Sequence, residues 1–205
     1  MERNAIPRAT LGRLPMYLEY LRKLPEGGGE TVSSTAIARG LSLGEVQVRK
    51  DLASVSGKGK PKIGYIKSGL IKNIEDCLGY NDLTPAVLVG AGKLGCALLD
   101  YDGFEKYGVK IVAAFDCSER KLERHNIDKV LPAAQLEDFC HNNNVRIGII
   151  TVGEGSAQIV CDSMVKSGIV AIWNFAPCKL NVPEGVIMKQ EDLALSLAYL
   201  NSQLY

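Results

Sequence analysis

The chain has 205 residues, 46% of them hydrophobic, enough to bury a core in one domain or in two small ones. No apolar run approaches the roughly 20 residues of a membrane span, and the polar start MERNAIPRAT lacks a signal-peptide pattern, so a cytoplasmic protein is expected. The formal net charge of +1 conceals an asymmetry: residues 1–80 carry a net +5 and residues 81–205 a net −4, and a basic first third points to a polyanionic partner.

The first predicted element is an amphipathic helix over residues 12–24, where Leu14, Tyr17, Leu18 and Leu21 recur at helical spacing. Pro25 and the run Gly27 to Gly29 stop it. A short helix capped by Ser33 or Ser34 follows, with Ala36, Ile37 and Leu41 as apolar contacts. After the turn GLSLG a second helix starts near Glu45, with Val46, Val48, Leu52 and Val55 expected along its buried stripe. Helix, glycine-containing turn and helix with an Arg-Lys pair form a helix-turn-helix pattern, in which Gln47, Arg49 and Lys50 are the side chains placed to reach DNA. An ordinary helical subdomain with solvated charges fits the same pattern.

Residues 56–66, SGKGKPKIGYI, place Lys58, Lys60 and Lys62 at every second position before Tyr65. In an extended hairpin that alternation puts the lysines on one side, suited to phosphates, as a basic wing after a recognition helix. A flexible solubilising loop is the alternative. A further helix over residues 67–79 leads to a hinge at NDLTP, residues 81–85.

From Ala86 the pattern becomes strand, turn, helix. Val87 to Val89 form a buried strand, and Gly90-Ala91-Gly92-Lys93-Leu94-Gly95 fits GxGxxG, the glycine-rich turn that brings backbone N–H groups to a dinucleotide pyrophosphate. The next strand ends in Asp116, 26 residues after Gly90 and somewhat beyond the usual ~20. An acid there accepts from a ribose diol and favours NAD(H) over NADP(H), with Arg120 and Lys121 nearby acting against that preference. It also serves as a strand-end cap.

Further strand and helix alternation, through residues 145–153 and 169–177, predicts a parallel, doubly wound sheet. The loops Gly153-Glu154-Gly155-Ser156, preceded by Val152, and Asn174-Phe175-Ala176-Pro177 border the cofactor in such a sheet, beyond the carboxyl ends of the strands. The last stretch puts Leu193, Leu197, Leu200 and Leu204 on one helical stripe, which packs on its own domain or on a second subunit. The expected fold is therefore α/β: a winged helix-turn-helix domain (1–80), a Rossmann-type domain binding NAD(H) (81–185) and a C-terminal dimerisation helix (186–205).

A dehydrogenase needs a positioned acid or base. The histidines, His125 and His141, lie in polar surroundings far from the strand ends, and nothing pairs with Tyr101 or Asp192 as a catalytic set, so no catalytic residue is assigned. The six cysteines lack the CxxC spacing of a zinc site, so no metal is expected. Cys117 and Cys178 adjoin motif residues, which leaves a thiol-sensing role beside inert packing.

The sequence resembles the Rex family of redox-sensing transcriptional repressors over almost its full length. The matching runs include Arg13-Leu14-Pro15, Val46 to Leu52, Gly64-Tyr65, Val89 to Gly95, Asp100-Tyr101, Gly103 to Lys106, Phe115-Asp116, Thr151-Val152, Asn174 to Pro177 and Asp192-Leu193. The resemblance implies a homodimer with exchanged C-terminal helices, NADH and NAD+ competing for one site, and operator DNA released by NADH. It also marks departures. The wing is more basic than the family pattern and lacks its phenylalanines. The loop after Val152 has Gly153 where the family has proline. Glu19 stands where a basic residue is expected to pair with the aspartate matching Asp192, in exchange with Tyr101, and Leu193 stands where an aromatic covers the nicotinamide. These departures raise the alternative of a divergent paralogue with an altered NADH response.

Overall fold

The computed structural model describes residues 6–25, 29–118 and 130–204, and the chain divides into two units, Met1–Asp82 and Leu83–Tyr205. The first contains α1 (Arg8–Lys23), β1 (Thr31–Val32), α2 (Ser34–Gly40), α3 (Glu45–Ser56), β2 (Tyr65–Ile66) and α4 (Lys67–Leu78). Leu14, Tyr17, Leu18 and Leu21 of α1 are buried together with Ile37, Val48, Leu52, Val55, Leu70 and Ile74. Helix α1 starts earlier than its apolar spacing indicates: Pro7 accepts from the N–H groups of Thr10 and Leu11. Ser33 is the cap of α2, its hydroxyl accepting from Ala36 N at 3.0 Å.

Two expectations for this unit need correcting. Val46 is 55% exposed, not buried, because it lies two residues from Val48 and hence about 200° away around the helix. The wing is not an extended ladder of lysines. Lys60 and Gly64 exchange both backbone hydrogen bonds at 2.8 Å, which closes a tight turn with Lys62 at φ +63°. Strands β1 and β2 pair antiparallel at its base.

The second unit holds β3 (Thr84–Val89), α5 (Lys93–Leu99), a 3₁₀ turn (Asp102–Tyr107), β4 (Val109–Asp116), β5 (Val130–Pro132), α6 (Leu136–Asn142), β6 (Ile147–Ile150), α7 (Glu154–Lys166), β7 (Ala171–Asn174), β8 (Ile187–Gln190) and α8 (Leu193–Ser202). The strand order is β5-β4-β3-β6-β7-β8, and every pairing is parallel. Alternate residues of β3 enter different cores. Val87 and Val89 pack with Cys161 and Met164 of α7, whereas Ala86 and Leu88 pack with Cys96 and Leu99 of α5. The sheet is thus covered on both faces, which is why its strands read as continuous apolar runs.

The chain leaves β3 towards β4 on one side and reaches β6 on the other, so the topological switch point lies between β3 and β6. That is where ligands bind in open parallel sheets. Edge strand β8 was not foreseen: its residues are mostly exposed, so it shows little hydrophobic pattern. Helix α8 buries none of its residues. Leu193, Leu195, Leu197, Tyr199 and Leu200 are each more than 60% exposed, so the apolar stripe does not pack on its own unit. No helix among the described residues is long and apolar enough to cross a membrane.

Candidate nucleotide and nucleic-acid sites

The glycine-rich turn joins β3 to α5 at the switch point. Gly90 has φ +110°, and a Cβ there would come within 2.8 Å of Thr151 backbone, so only glycine fits. A Cβ on Gly95 would sit 2.0 Å from the Gly90 carbonyl oxygen, which is how α5 packs so closely on the turn. At Gly92, by contrast, nothing lies within 4 Å of such a Cβ. The backbone is open there, at the N-cap of α5, where an approaching phosphate would meet Lys93 and Leu94.

Thr151, at the end of β6, locks the turn from the neighbouring strand: its hydroxyl donates to Gly90 O at 2.8 Å. The sequence marks Thr151 only as part of a run resembling the Rex family and assigns the cofactor to the following residues, Val152 and Gly153. Asp116 is buried, accepting from Ala91 N at 2.8 Å and Ser118 N at 2.9 Å. It therefore shapes the turn directly. Arg120, Lys121 and His125 lie outside the described residues.

Asn174 is fully buried. Its amide donates to Gln190 Oε1, Cys178 O and Ala176 O and accepts from Ala176 N, so the side chain sits beneath the loop and holds its shape. Phe175 continues a row of rings: Tyr101 packs edge-on to Phe104, Phe104 to Trp173, and Trp173 lies 4.5 Å from Phe175 by centroids. Tyr101 is 59% exposed, its ring lying where a side chain on residue 103 would be, which Gly103 permits. The Trp173 indole donates to Glu191 at 3.2 Å. The next residue, Asp192, caps α8 by accepting from Leu195 N.

In the first unit, Arg49 of α3, Lys60 and Lys62 of the wing turn, and Ser33 and Ser34 at the start of α2 line one concavity. The two serines had been read only as caps. Gln47, Lys50 and Lys58 are exposed. Tyr65 is mostly buried, its hydroxyl donating to Gly57 O at 3.1 Å, so it braces the wing from below. Behind α3 lies a buried carboxylate, Asp51, which accepts from Thr10, from Tyr17 and twice from Arg13. Burial alone would raise its pKa. The hydrogen bonds from Arg13, Tyr17 and Thr10 outweigh burial and hold it below the ordinary carboxylate range. Burial, and then the bond to Asp51, push the Tyr17 phenol up to about 12.

Among the described residues no disulfide forms, and Cys117 is exposed. Burial raises the thiols of Cys140, to about 11, and Cys161. His141, at the end of α6, lines a concavity with Arg146 and Gly168 that includes no residue of the glycine-rich turn.

A family described as "Putative DNA-binding protein N-terminus" matches residues 5–53, and one described as "CoA binding domain" matches residues 81–178. The redox-sensing transcriptional repressor Rex of Pelotomaculum thermopropionicum is 41% identical over 205 residues, covering 100% of this chain and 96% of that protein. The chain belongs to the Rex family. Among solved Rex-family structures, RSP in complex with β-NAD+ and operator DNA matches 97% of this chain and 92% of its own, with a TM-score of 0.88 and 33% identity. RSP in complex with β-NADH matches 97% and 94% with a TM-score of 0.84 and 32% identity. Where the Rex resemblance leads one to expect a basic residue on the first helix, Glu19 of this chain pairs with Lys23 at 2.7 Å, a contact within one helix face.

Proposed function

We propose that the chain is one subunit of a homodimeric cytoplasmic repressor that binds operator DNA through its first unit and NAD(H) through its second, and that NADH binding releases the DNA. The observation that carries this reading is the match of both units, in one chain, to a Rex-family repressor solved with NAD+ and operator DNA. The geometry supports the same roles. Arg49, Lys60 and Lys62 line one concavity suited to a phosphate backbone, with Gln47 and Lys50 exposed on the same helix as Arg49, Lys58 extending the basic wing and Tyr65 supporting it. Gly90 to Gly95 hold the pyrophosphate, Asp116 the ribose, and Val152, Gly153, Phe175 and Tyr101 surround the nicotinamide, with Asn174 shaping the loop.

An acid at the end of β4 disfavours a phosphorylated ribose, which argues for NAD(H) over both NADP(H) and coenzyme A. The nucleotide is a signal here and no reaction is catalysed. NAD+ and NADH differ by one charge and in ring shape, and a sensor needs only that each favours a different dimer arrangement. The apolar surface of α8 is assigned to the second subunit.

The test is binding of labelled palindromic Rex-type operator, at fixed salt, while NADH is titrated against a background of NAD+. Release at micromolar NADH is expected. A second reading, a repressor with an altered NADH response, is favoured by the Glu19–Lys23 pair and by Leu193 at the start of α8. Tight operator binding indifferent to NADH would select it. Coenzyme A in the same titration checks the ligand class.

A further inference from the structure

In the first unit one guanidinium links a buried carboxylate to a side chain placed to read bases. Arg13 donates from Nε to Asp51 Oδ2 at 2.7 Å and from Nη2 to Asp51 Oδ1 at 2.9 Å. Its third nitrogen, Nη1, faces Gln47; the amide is assigned with its oxygen towards the guanidinium, the orientation that satisfies both groups, in which the oxygen accepts from Nη1 at 3.1 Å and lies 3.0 Å from Nε, whose single N–H goes to Asp51. Thr10 and Tyr17 donate to the same carboxylate, so Asp51, 4% exposed, is held from three residues of α1. Gln47 and Asp51 are four residues apart on α3 and so share a helix face. The fork of Arg13 is therefore fixed before any ligand arrives.

We propose that Arg13 is a positioning residue that sets which base Gln47 reads. With its amide oxygen committed to Arg13, Gln47 turns only its NH₂ donors outward. A glutamine free to use both atoms reads adenine, donating to N7 and accepting from N6. The tethered amide instead matches edges that only accept: O6 and N7 of guanine, or O4 of thymine. Val46, exposed in the same first turn, adds an apolar surface for a thymine methyl group. The first turn of α3 thus selects a keto base over an amino base. This rests on α3 being the recognition helix.

The experiment is selection of sites from a randomised duplex library by full-length wild-type protein, Gln47→Glu and Arg13→Met, followed by affinity measurements on duplexes carrying each base pair at the position Gln47 reads. Wild type should prefer the keto base by about tenfold. Gln47→Glu, which keeps the Arg13–Asp51 pair, should turn the preference towards cytosine or adenine, whose amino groups a carboxylate accepts from. Arg13→Met, its folding checked by thermal melting, should raise adenine to parity or above. Its slope of log affinity against log salt should be unchanged, because no phosphate contact is lost. An unchanged base preference in folded Arg13→Met overturns the inference, as does a Gln47→Glu protein that still prefers the keto base. If Arg13→Met does not fold, the Gln47→Glu result decides. Selection of no specific site overturns the DNA-binding reading and this inference together.

Discussion

Two glycines of one motif separate fold from ligand. Gly95→Ala places a methyl group 2.0 Å from backbone and should cost the second unit about 3 kcal/mol, the top of the usual overpacking range, together with nucleotide binding. Gly92→Ala meets nothing within 4 Å, so thermal melting should be unchanged while calorimetry shows weaker NADH binding; wild-type affinity in that variant would refute the assigned pyrophosphate site. Asp51 has a folded pKa below its unfolded value, so its stabilisation is present above the ordinary value of about 4 and is lost as pH falls below it. Tyr17, pushed up to about 12, keeps its contribution below its ordinary value of about 10 and loses it as pH rises from there through about 12. The first unit should therefore melt highest between those limits. Asp51→Asn should lower its stability by about 3 kcal/mol, as for a broken buried pair, and flatten the acid limb of the profile. The glycines were legible because their spacing is itself the requirement. Asp51 was not: in the run Arg49-Lys50-Asp51 it reads as one more surface charge, and only α1, far away in sequence, buries it.

Helix α2 depends on a single cap, and Ser33→Ala should destabilise the first unit by about 1 kcal/mol in a denaturant titration. The wing turn is expected to act through phosphates, so Lys60→Ala and Lys62→Ala should each weaken binding to all duplexes alike and lower the salt slope by roughly one unit. Most helices and strands were legible in advance, because a covered parallel sheet needs continuous apolar strands and a small helical core needs a stripe at 3.6-residue spacing. The wing was misread for a physical reason. Alternating lysines imply one face only if the backbone is extended, and the bridge between Lys60 and Gly64 turns it instead. Edge strand β8 escaped because it pairs on one side and buries little.

Each unit has cores of its own, so calorimetric unfolding should resolve two transitions. Saturating NADH at about 100 times its dissociation constant should stabilise the second by about 2.7 kcal/mol and leave the first in place. Helix α8 should hold the dimer: Leu197→Glu with Leu200→Glu should give a monomer in sedimentation and lose operator affinity, since two half-sites need two subunits. At this scale the order of the two units was legible, while the exposure of α8 was not, because a leucine stripe looks alike whichever chain covers it. Trp173 carries a consequence of another kind. It is the chain's single tryptophan, stacked near Phe175 and hydrogen-bonded to Glu191 just before α8. Excited at the red edge, where tyrosine does not absorb, the emission of each subunit therefore originates at one indole between the carboxyl-end loop and the root of the terminal helix. Rearrangement at either end should register in its colour and intensity with no label attached.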